Sequence, residues 1–560
     1  MCSMRLKFFI ALFILFLSML PAAASDVDHV LIFEFLPNPA AASDEGEYVK
    51  IINPSDEMID ISCFILTDLE GEITIPSDTH LGPGSDYIFE LPAEGVALKN
   101  SGDEVILLDN RRNLVDCVIY GDSDYNTAGW HGKGVGDAFD ERVFRRFYPD
   151  MDTDTAYEWL PLREYYRGQS NFLPPLRDVT ADVTCFVSPD CSLDPLLARI
   201  RAASTIRANI YLFESSAIED AIIELLDRGG VARILVERDP VGGMSHSELL
   251  ILKNIIDHGG EVRFTNDPLY NLNHAKYALF DDDTILITSE NWNNDGFPPP
   301  ETGGNRGWGI VIENGEIFDD LYEVFEYDWQ HGLDLYIQNI YEVPEAASDH
   351  GLSWYGNGFD PLSLSGNFSV QLIIAPDNSL HYETIIGLIN SANKSIYIEE
   401  AYIRRDWGDH TNPYLDATID AARRGVEVKI LLDSMWYNLD GNADNDDLCR
   451  YVNEISKNED LNLEARLVRR DGITKIHNKG VIVDSEKVLI SSINWNKHSP
   501  TYNREVGVII QNPEIGAYYS EVFMKDWEKS GNSWEMVVIA VIMFILLVAA
   551  IYFIKRTQNL

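Results

Sequence analysis

Short runs of alternating apolar and polar residues dominate the first part of the chain. Between residues 28 and 122, runs such as VLIFEFL, YVKIIN and VILLD are separated by turn-forming residues. Short strands at this spacing are typical of an antiparallel β-sandwich. We therefore assign residues 25–172 to an N-terminal β-sandwich domain with an extension.

The remainder of the chain repeats itself with a long period. FVSPDCSL at 186–193 returns as IIAPDNSL at 373–380, and in each copy strand patterns alternate with helical ones. Strands joined through helices predict crossover connections and a largely parallel, helix-covered sheet. The repeat therefore indicates a duplicated α/β fold, with halves at 177–332 and 368–530 and a linker of low regularity at 333–367.

The N-terminal end has the pattern of a secretory signal. Arg5 and Lys7 precede a long apolar run, and Ala22, Ala23 and Ala24 offer small residues at its end. A basic flank, an apolar stretch and a small-residue cleavage site define a signal peptide. We predict that residues 1–24 are removed on export.

The C-terminal end has the pattern of a membrane anchor. Residues 536–554 carry no charge, and Lys555 and Arg556 follow at once. At about 1.5 Å per residue this stretch is long enough to cross a bilayer, and basic flanks stay on the cytoplasmic side. The sequence therefore predicts a single transmembrane helix in the cell membrane, with residues 25 to about 534 outside the cell.

Composition and charge narrow the possible partners. Hydrophobic residues make up 46% of the 560 residues, which excludes a mainly disordered chain. The net charge of −47 repels nucleic acid and anionic lipid unless a site is locally basic. One segment is locally basic, with five cations against Asp471: Arg466, Arg469, Arg470, Lys475 and Lys479.

The number and spacing of the cysteines indicate neither a disulfide framework nor a metal site. Export would remove Cys2 and leave an odd set, for which one or two disulfides or buried free thiols remain open. The spacing of Cys and His does not resemble a zinc site. We expect no metal and no other cofactor.

The candidate chemistry is a five-residue pattern that occurs once in each half. Both copies have the same spacing, with offsets of 2, 7, 15 and 17 residues from a histidine. The residues are His274, Lys276, Asp281, Ser289 and Asn291 in the first half and His477, Lys479, Asp484, Ser492 and Asn494 in the second. Two imidazoles, two ammonium groups and two amides supply a nucleophile, a proton donor and donors for phosphoryl oxygens. The pattern therefore indicates attack on a phosphodiester.

The spacing also separates two kinds of residue. Histidine and lysine two positions apart on a strand project from one face, whereas an odd offset of seven reverses the face. We therefore predict a structural role for Asp281 and Asp484.

The segments HAKYALFD…TSEN and HNKGVIVD…SSIN resemble the paired HxKxxxxD motifs, each followed by a GSxN-like segment, of the phospholipase D superfamily. The resemblance covers about residues 180–530, although Thr288 and Ser491 replace the usual glycine. It implies a phosphohistidine intermediate formed without a metal. By position it implies that Lys276, Lys479, Asn291 and Asn494 hold the phosphate, with help from Ser289 and Ser492.

A second resemblance concerns the β-sandwich. The order of FEFLPNP, GEYVKIINPSDEMIDISCFILTD and VDCVIYGD is similar to that of the lamin-tail domain, an immunoglobulin-like module. It implies binding or spacing rather than chemistry, and the sequence does not identify a partner.

The two halves differ downstream of the motifs. Asn503-Arg504-Glu505-Val506-Gly507 aligns with Asn305-Arg306-Gly307-Trp308-Gly309, so Glu505 has no counterpart in the first half. Members of the superfamily often carry an acidic residue here that orients a catalytic histidine. This would make His477 the better supported imidazole and leave His274 in need of another partner. Because two-motif relatives often use the first histidine as nucleophile, the assignment stays open.

These observations predict an extracellular, membrane-anchored phosphodiesterase of the phospholipase D type. A short connection to the membrane helix favours a phospholipid substrate, although no aromatic-rich insertion loop is apparent in the sequence. A nuclease and a phosphatidyltransferase are alternatives on the same fold, and a non-catalytic binding or scaffold protein is a further one.

Overall fold

The structure is a computed structural model, and it describes residues 27–40, 45–93, 95–126, 128–146, 151–159, 165–265, 269–335, 355–356, 358–408, 411–441 and 444–530. The predicted signal peptide and the predicted transmembrane helix lie outside the described residues. Within these ranges no helix has the length and apolar character needed to cross a bilayer. The chain divides into two compact units, Met1–Gln169 and Ser170–Leu560.

The first unit is the predicted β-rich domain. One antiparallel sheet has the spatial order Tyr165–Tyr166, Arg142–Arg145, Leu31–Leu36, Glu47–Ile52 and Asp86–Leu91. A second has the order Glu72–Thr74, Ile65–Thr67, Gly102–Leu108 and Leu114–Gly121. The short strands Ile59–Asp60 and His80–Leu81 pair separately, and Ala156–Trp159 is a 3-10 turn. Phe35 and Val49 of the first sheet share one buried core with Leu107 and Val118 of the second, as expected for a sandwich.

The second unit is built on one mixed sheet of 16 strands. The first half contributes Leu333–Asp334, Glu261–Phe264, Val231–Val236, Thr205–Ile210, Lys276–Phe280, Thr284–Thr288, Gly304–Glu313 and Arg177–Ser188, in spatial order. The second half continues with Leu362–Ala375, Glu505–Gln511, Lys487–Ser491, Lys479–Val483, Ser395–Glu400, Glu427–Leu432 and Leu463–Leu467. The order of the second half mirrors that of the first, so the sequence repeat is also a repeat of topology.

The prediction of a largely parallel sheet is wrong. Inside each half, the described parallel pairs join three strands that follow helices, whereas the motif strands form antiparallel hairpins. The connection between Lys276–Phe280 and Thr284–Thr288 is far too short for a crossover. The strand Leu362–Ala375 also begins inside the segment predicted as a linker.

Helices cover both faces of this sheet. They span Leu193–Ala202, Ser216–Asp227, His246–Asp257, Gly315–His331, Ile385–Asn390, Pro413–Arg423, Asn445–Glu459, His498–Tyr502 and Pro513–Lys529, with a 3-10 turn at Trp436–Asn438. The long helices that close the two halves begin alike, because Asn314 and Asn512 each accept hydrogen bonds from main-chain N–H groups of the first turn. The cysteines of the described residues are free thiols.

The halves interlock at the centre of the sheet. Arg177–Ser188 pairs antiparallel with Leu362–Ala375, and one core runs across both strands from Val183 to Ile374. Ile473–Ile476 of the second half pairs with Gly304–Glu313 of the first, which carries the loop before His477 into the first half. The two histidine motifs are therefore held on one rigid frame.

Candidate active site

Each motif histidine lies just before its strand and is held by the opposite half. The main-chain N–H of His274 donates to the Arg504 carbonyl at 2.8 Å, and that of His477 donates to the Arg306 carbonyl at 2.9 Å. This exchange brings together two histidines that are far apart in sequence, as the duplicated pattern predicts for a joint site.

Glu505 orients His274, so the expectation that it orients His477 is wrong. His274 Nδ1 lies 2.8 Å from Glu505 Oε2. The other oxygen, Oε1, accepts hydrogen bonds from Ser499 Oγ and, at 3.2 Å, from Asn503 Nδ2, so the buried carboxylate cannot turn away. Because the halves exchange their loops, a residue aligned after one histidine faces the other one. A carboxylate on Nδ1 leaves Nε2 of His274 free to react.

His477 has a carboxylate of its own, which the sequence alignment did not identify. Glu290 Oε2 lies 3.3 Å from His477 Nδ1, and the same oxygen accepts a hydrogen bond from Asn305 Nδ2 at 3.0 Å. Glu290 is buried, and this burial raises its pKa against the opposing effect of Lys479. The first half therefore supplies its carboxylate from the TSEN segment.

Gly307 provides the space that Glu290 fills. Gly307 pairs with Ser188 and Glu505 pairs with Ala375, so the two residues occupy equivalent places in the two halves. A Cβ atom on Gly307 would lie 2.1 Å from Glu290 Oε1. The signal for this exchange is in the sequence, since Glu290 stands where the second half has Ile493.

The motif lysines lie beside the histidines. Lys276 Nζ donates to the His274 carbonyl at 2.6 Å, and Lys479 Nζ donates in the same way to the His477 carbonyl. Burial lowers the pKa of both ammonium groups. Each lysine has further N–H donors, which are suited to phosphoryl oxygens.

Both imidazoles are basic only weakly in this setting. Burial, opposed by Glu505, lowers the pKa of His274 to about 4. Burial, together with Lys479 and Lys475, holds the pKa of His477 well below its usual range. An anionic phosphate bound between the lysines would raise the pKa of both histidines, because a nearby negative charge favours the imidazolium form.

The predicted phosphate-binding residues divide into two groups. The Oδ1 atoms of Asn291 and Asn494 are buried and find no hydrogen-bond partner within the described residues. Because an amide oxygen only accepts hydrogen bonds, the group of each side chain that could bind a phosphoryl oxygen is Nδ2. Ser289 and Ser492 also bind the main chain of a neighbouring strand, and their help in binding the phosphate stays a prediction. Each hydroxyl both accepts from an N–H and donates to the carbonyl of one main-chain residue, Trp308 for the first and Val506 for the second. The serines therefore fasten neighbouring strands, and their hydrogen-bonding capacity is largely used.

The motif aspartates are structural, as their odd offset predicted. Asp281 Oδ1 accepts hydrogen bonds from the main-chain N–H groups of Ser204 and Thr205 at 2.8 and 2.9 Å. Asp484 binds the equivalent N–H groups of residues 393–395. Both carboxylates therefore cap the start of the neighbouring strand and do not face the histidines.

Two buried arginines support the histidine loops. Arg306 Nε donates to Asp526 and its Nη1 donates to Asp190, both at 2.6 Å. Arg504 Nη2 donates to Asp328 at 2.9 Å in the equivalent place. These pairs fix the two carbonyls that hold the histidine N–H groups, and their sequence signal is the repeated Asn-Arg at 305–306 and 503–504.

Two family models match the chain. The model described as cardiolipin synthase, PLD-like domain, matches residues 196–329 and 385–527, and each segment contains one complete histidine motif. The model of the lamin tail domain matches residues 23–122.

Several known proteins are similar to part of this chain. A cardiolipin synthase of Listeria monocytogenes is 23% identical over 368 residues, which cover 62% of this chain and 69% of that protein. A phosphatidylserine synthase structure from Haemophilus influenzae is 16% identical, covers 62% of this chain and 85% of that one, and has a TM-score of 0.46. The phospholipase D family member Nuc from Salmonella typhimurium is 20% identical, covers 28% of this chain and 99% of that one, and has a TM-score of 0.25.

Proposed function

Since the chain belongs to the phospholipase D superfamily and carries an N-terminal lamin tail domain, we propose that it cleaves phospholipid phosphodiesters through a phosphohistidine intermediate. The observation that carries this proposal is the exchange of carboxylates between the halves. It places a carboxylate within 3.3 Å of Nδ1 of each histidine, and a lysine lies beside each motif as well.

In the first step, Nε2 of His274 attacks phosphorus and the bond to the leaving oxygen breaks. His274 is suited to this role because Glu505 lies within hydrogen-bond distance of its Nδ1 and leaves its Nε2 available for the attack. His477, protonated in the presence of the anionic substrate, gives its proton to the leaving oxygen. The lysines and the two asparagine amides stabilise the charge on the phosphoryl oxygens.

In the second step, His477 takes a proton from water as the water oxygen attacks phosphorus. The bond between phosphorus and His274 breaks, which restores the free imidazole and leaves the proton on His477. With a phospholipid substrate the products are a free head-group alcohol and phosphatidic acid.

Transfer to an alcohol is the second candidate. It is favoured by the similarity to a protein named as a cardiolipin synthase. The chemistry of transfer differs only in the second step, in which an alcohol instead of water attacks phosphorus. Hydrolysis and transfer are distinguished by adding glycerol as acceptor and measuring the ratio of phosphatidic acid to phosphatidylglycerol among the products.

The test of the substrate class is a side-by-side assay of the full-length protein. It receives vesicles of head-group-labelled phospholipid, single-stranded DNA and a small chromogenic phosphodiester, with the His274→Ala protein as blank. We expect release of the head group. DNA cleavage with untouched lipid would instead identify a nuclease, and a folded protein inactive on all three would favour a binding or scaffold function.

We further propose that the unit with the two motifs lies outside the cell, anchored by residues 536–554. The proposal is supported by the apolar patterns at the two ends of the sequence. Protease added to intact cells should remove the region around His477 while a cytoplasmic control protein survives. Protection of that region until the cells are lysed would contradict the topology.

A further inference from the structure

Two large aromatic side chains stand in solvent on the 3-10 turn Trp436–Asn438. Trp436 is 69% exposed and Tyr437 is 43% exposed, and their rings meet edge to face at 5.6 Å. Aromatic rings of this size usually contribute to a core or an interface. An exposed pair on one turn therefore indicates a contact surface.

The turn is tied directly to the active site. Asp433 Oδ1 accepts the main-chain N–H of Ile476, the residue before His477, at 2.9 Å. Asp433 Oδ2 accepts the N–H of Met435 and the Nδ2 of Asn438, each at 2.9 Å. One buried carboxylate thus links the aromatic turn to the loop that precedes His477.

The positive charge beside this turn is smaller than the sequence suggests, because several of the basic residues are paired or buried. Of the basic residues between 466 and 479, Arg466 pairs with Glu464, Arg469 pairs with Asp471, and Lys479 lies inside the site. Two cations then remain, and within the described residues neither forms an ion pair with a carboxylate: Arg470 and Lys475. Arg470 contacts the Met435 sulfur and the Thr474 carbonyl, which sets its charge against the base of the turn.

The first half has a similar feature on the equivalent loop. Val241 is 86% exposed, and its main-chain N–H donates to the Tyr211 hydroxyl at 2.7 Å. The Tyr211 ring packs against His274 with a centroid distance of 4.8 Å. In each half, an exposed apolar side chain therefore lies on a loop that hydrogen-bonds to a neighbour of the motif histidine.

We propose that the Trp436–Tyr437 turn, together with Arg470, docks on the surface of a bilayer that contains anionic phospholipid. The inference rests on the proposed function and names the surface from which the substrate enters. Aromatic rings with one polar end favour the lipid–water interface, and a neighbouring arginine is attracted to anionic head groups. Single-stranded nucleic acid would need a groove that follows its backbone with several cations, and two cations do not provide one.

The direct test measures contact rather than turnover, so it can succeed even if the proposed reaction fails. The full-length protein is reconstituted in vesicles of phosphatidylcholine and phosphatidylglycerol whose acyl chains carry bromine. We expect bromine to quench the fluorescence of the wild-type protein more than that of the Trp436→Phe protein, because only the former has an indole at this position. Equal quenching in the two proteins would overturn the proposal. Quenching of Trp436 by single-stranded oligothymidylate without quenching by bromolipid would also overturn it, in favour of nucleic acid.

A kinetic test compares phospholipid in vesicles with a short-chain phospholipid dissolved as monomers. For Trp436→Ala combined with Tyr437→Ala, we expect the ratio of vesicle to monomer activity to fall about tenfold, as fits the loss of two apolar anchors. The matched control is Leu176→Ala. Leu176 is 63% exposed and precedes the strand Arg177–Ser188, whose far end contacts Arg306 beside the site. An equal fall of the ratio in the control, or no fall in the double variant, would contradict the docking surface.

Discussion

Replacing either His274 or His477 with alanine is expected to lower turnover by about 10⁴-fold or more while the protein stays folded, since each imidazole performs a step that the other cannot. One supplies the nucleophile and the other transfers the proton, and each lies beside a different carboxylate. The measurement is kcat on the phosphodiester identified by the side-by-side assay. Thermal unfolding of each variant provides the control for folding.

The same variants can identify the nucleophile. With a chromogenic diester, whose leaving group needs no proton, His477→Ala should accumulate an acid-labile phosphohistidine on His274 that mass spectrometry detects. His274→Ala should accumulate none. A label on His477 would reverse the two roles, and full activity of one single variant would contradict the joint site. We also expect activity to survive a chelator, whereas its loss and its return with a divalent ion would indicate metal-assisted hydrolysis.

The parts of the site that the sequence predicts are local. His274 and Lys276 lie two positions apart at the start of a strand, and the duplicate at His477 carries the same spacing. The odd offset of seven residues between His274 and Asp281 was enough to predict a structural role for Asp281, because side chains alternate between the two faces of a strand.

The parts that the sequence did not predict depend on contacts between the halves. Alignment pairs Glu505 with its own histidine, whereas the exchanged loops set it against His274. The sequence pattern also did not predict the exposed aromatic turn. Its two aromatic residues lie in the short segment SMWYNLDG, which is not a long aromatic-rich insertion. Its exposure becomes evident only when the strand ending at Leu432 places Trp436 outside the core. The sequence pattern did not predict the antiparallel hairpins, because the three residues after Phe280 do not form a recognisable hairpin turn.

Glu290 should prove to be a positioning residue for His477, and its loss should lower kcat by about 100-fold. The buried carboxylate lies 3.3 Å from Nδ1 of His477, and a negative charge at this distance favours the imidazolium form that donates the proton. Removing it in Glu290→Ala should lower the pKa of His477 further. The limb of the kcat profile that falls with rising pH should therefore move to lower pH, a shift that a merely structural defect would not produce.

The chain offers a matched rescue for this variant. Gly307 holds the place that Glu505 occupies in the other half, and its backbone is not in the left-handed region that favours glycine. In wild-type protein a side chain at 307 collides with Glu290, and Glu290→Ala removes the three atoms that lie nearest to a Cβ at this position. Gly307→Glu should therefore inactivate the wild-type protein and, in the Glu290→Ala background, restore much of kcat and return the pH limb. If the double variant remains as slow as Glu290→Ala although it unfolds at the same temperature as wild type, a carboxylate beside His477 is not what the reaction requires. Recovery of kcat in the double variant would show that either position 290 or position 307 can supply the carboxylate beside His477. The two halves would then differ only in which strand carries this acidic residue.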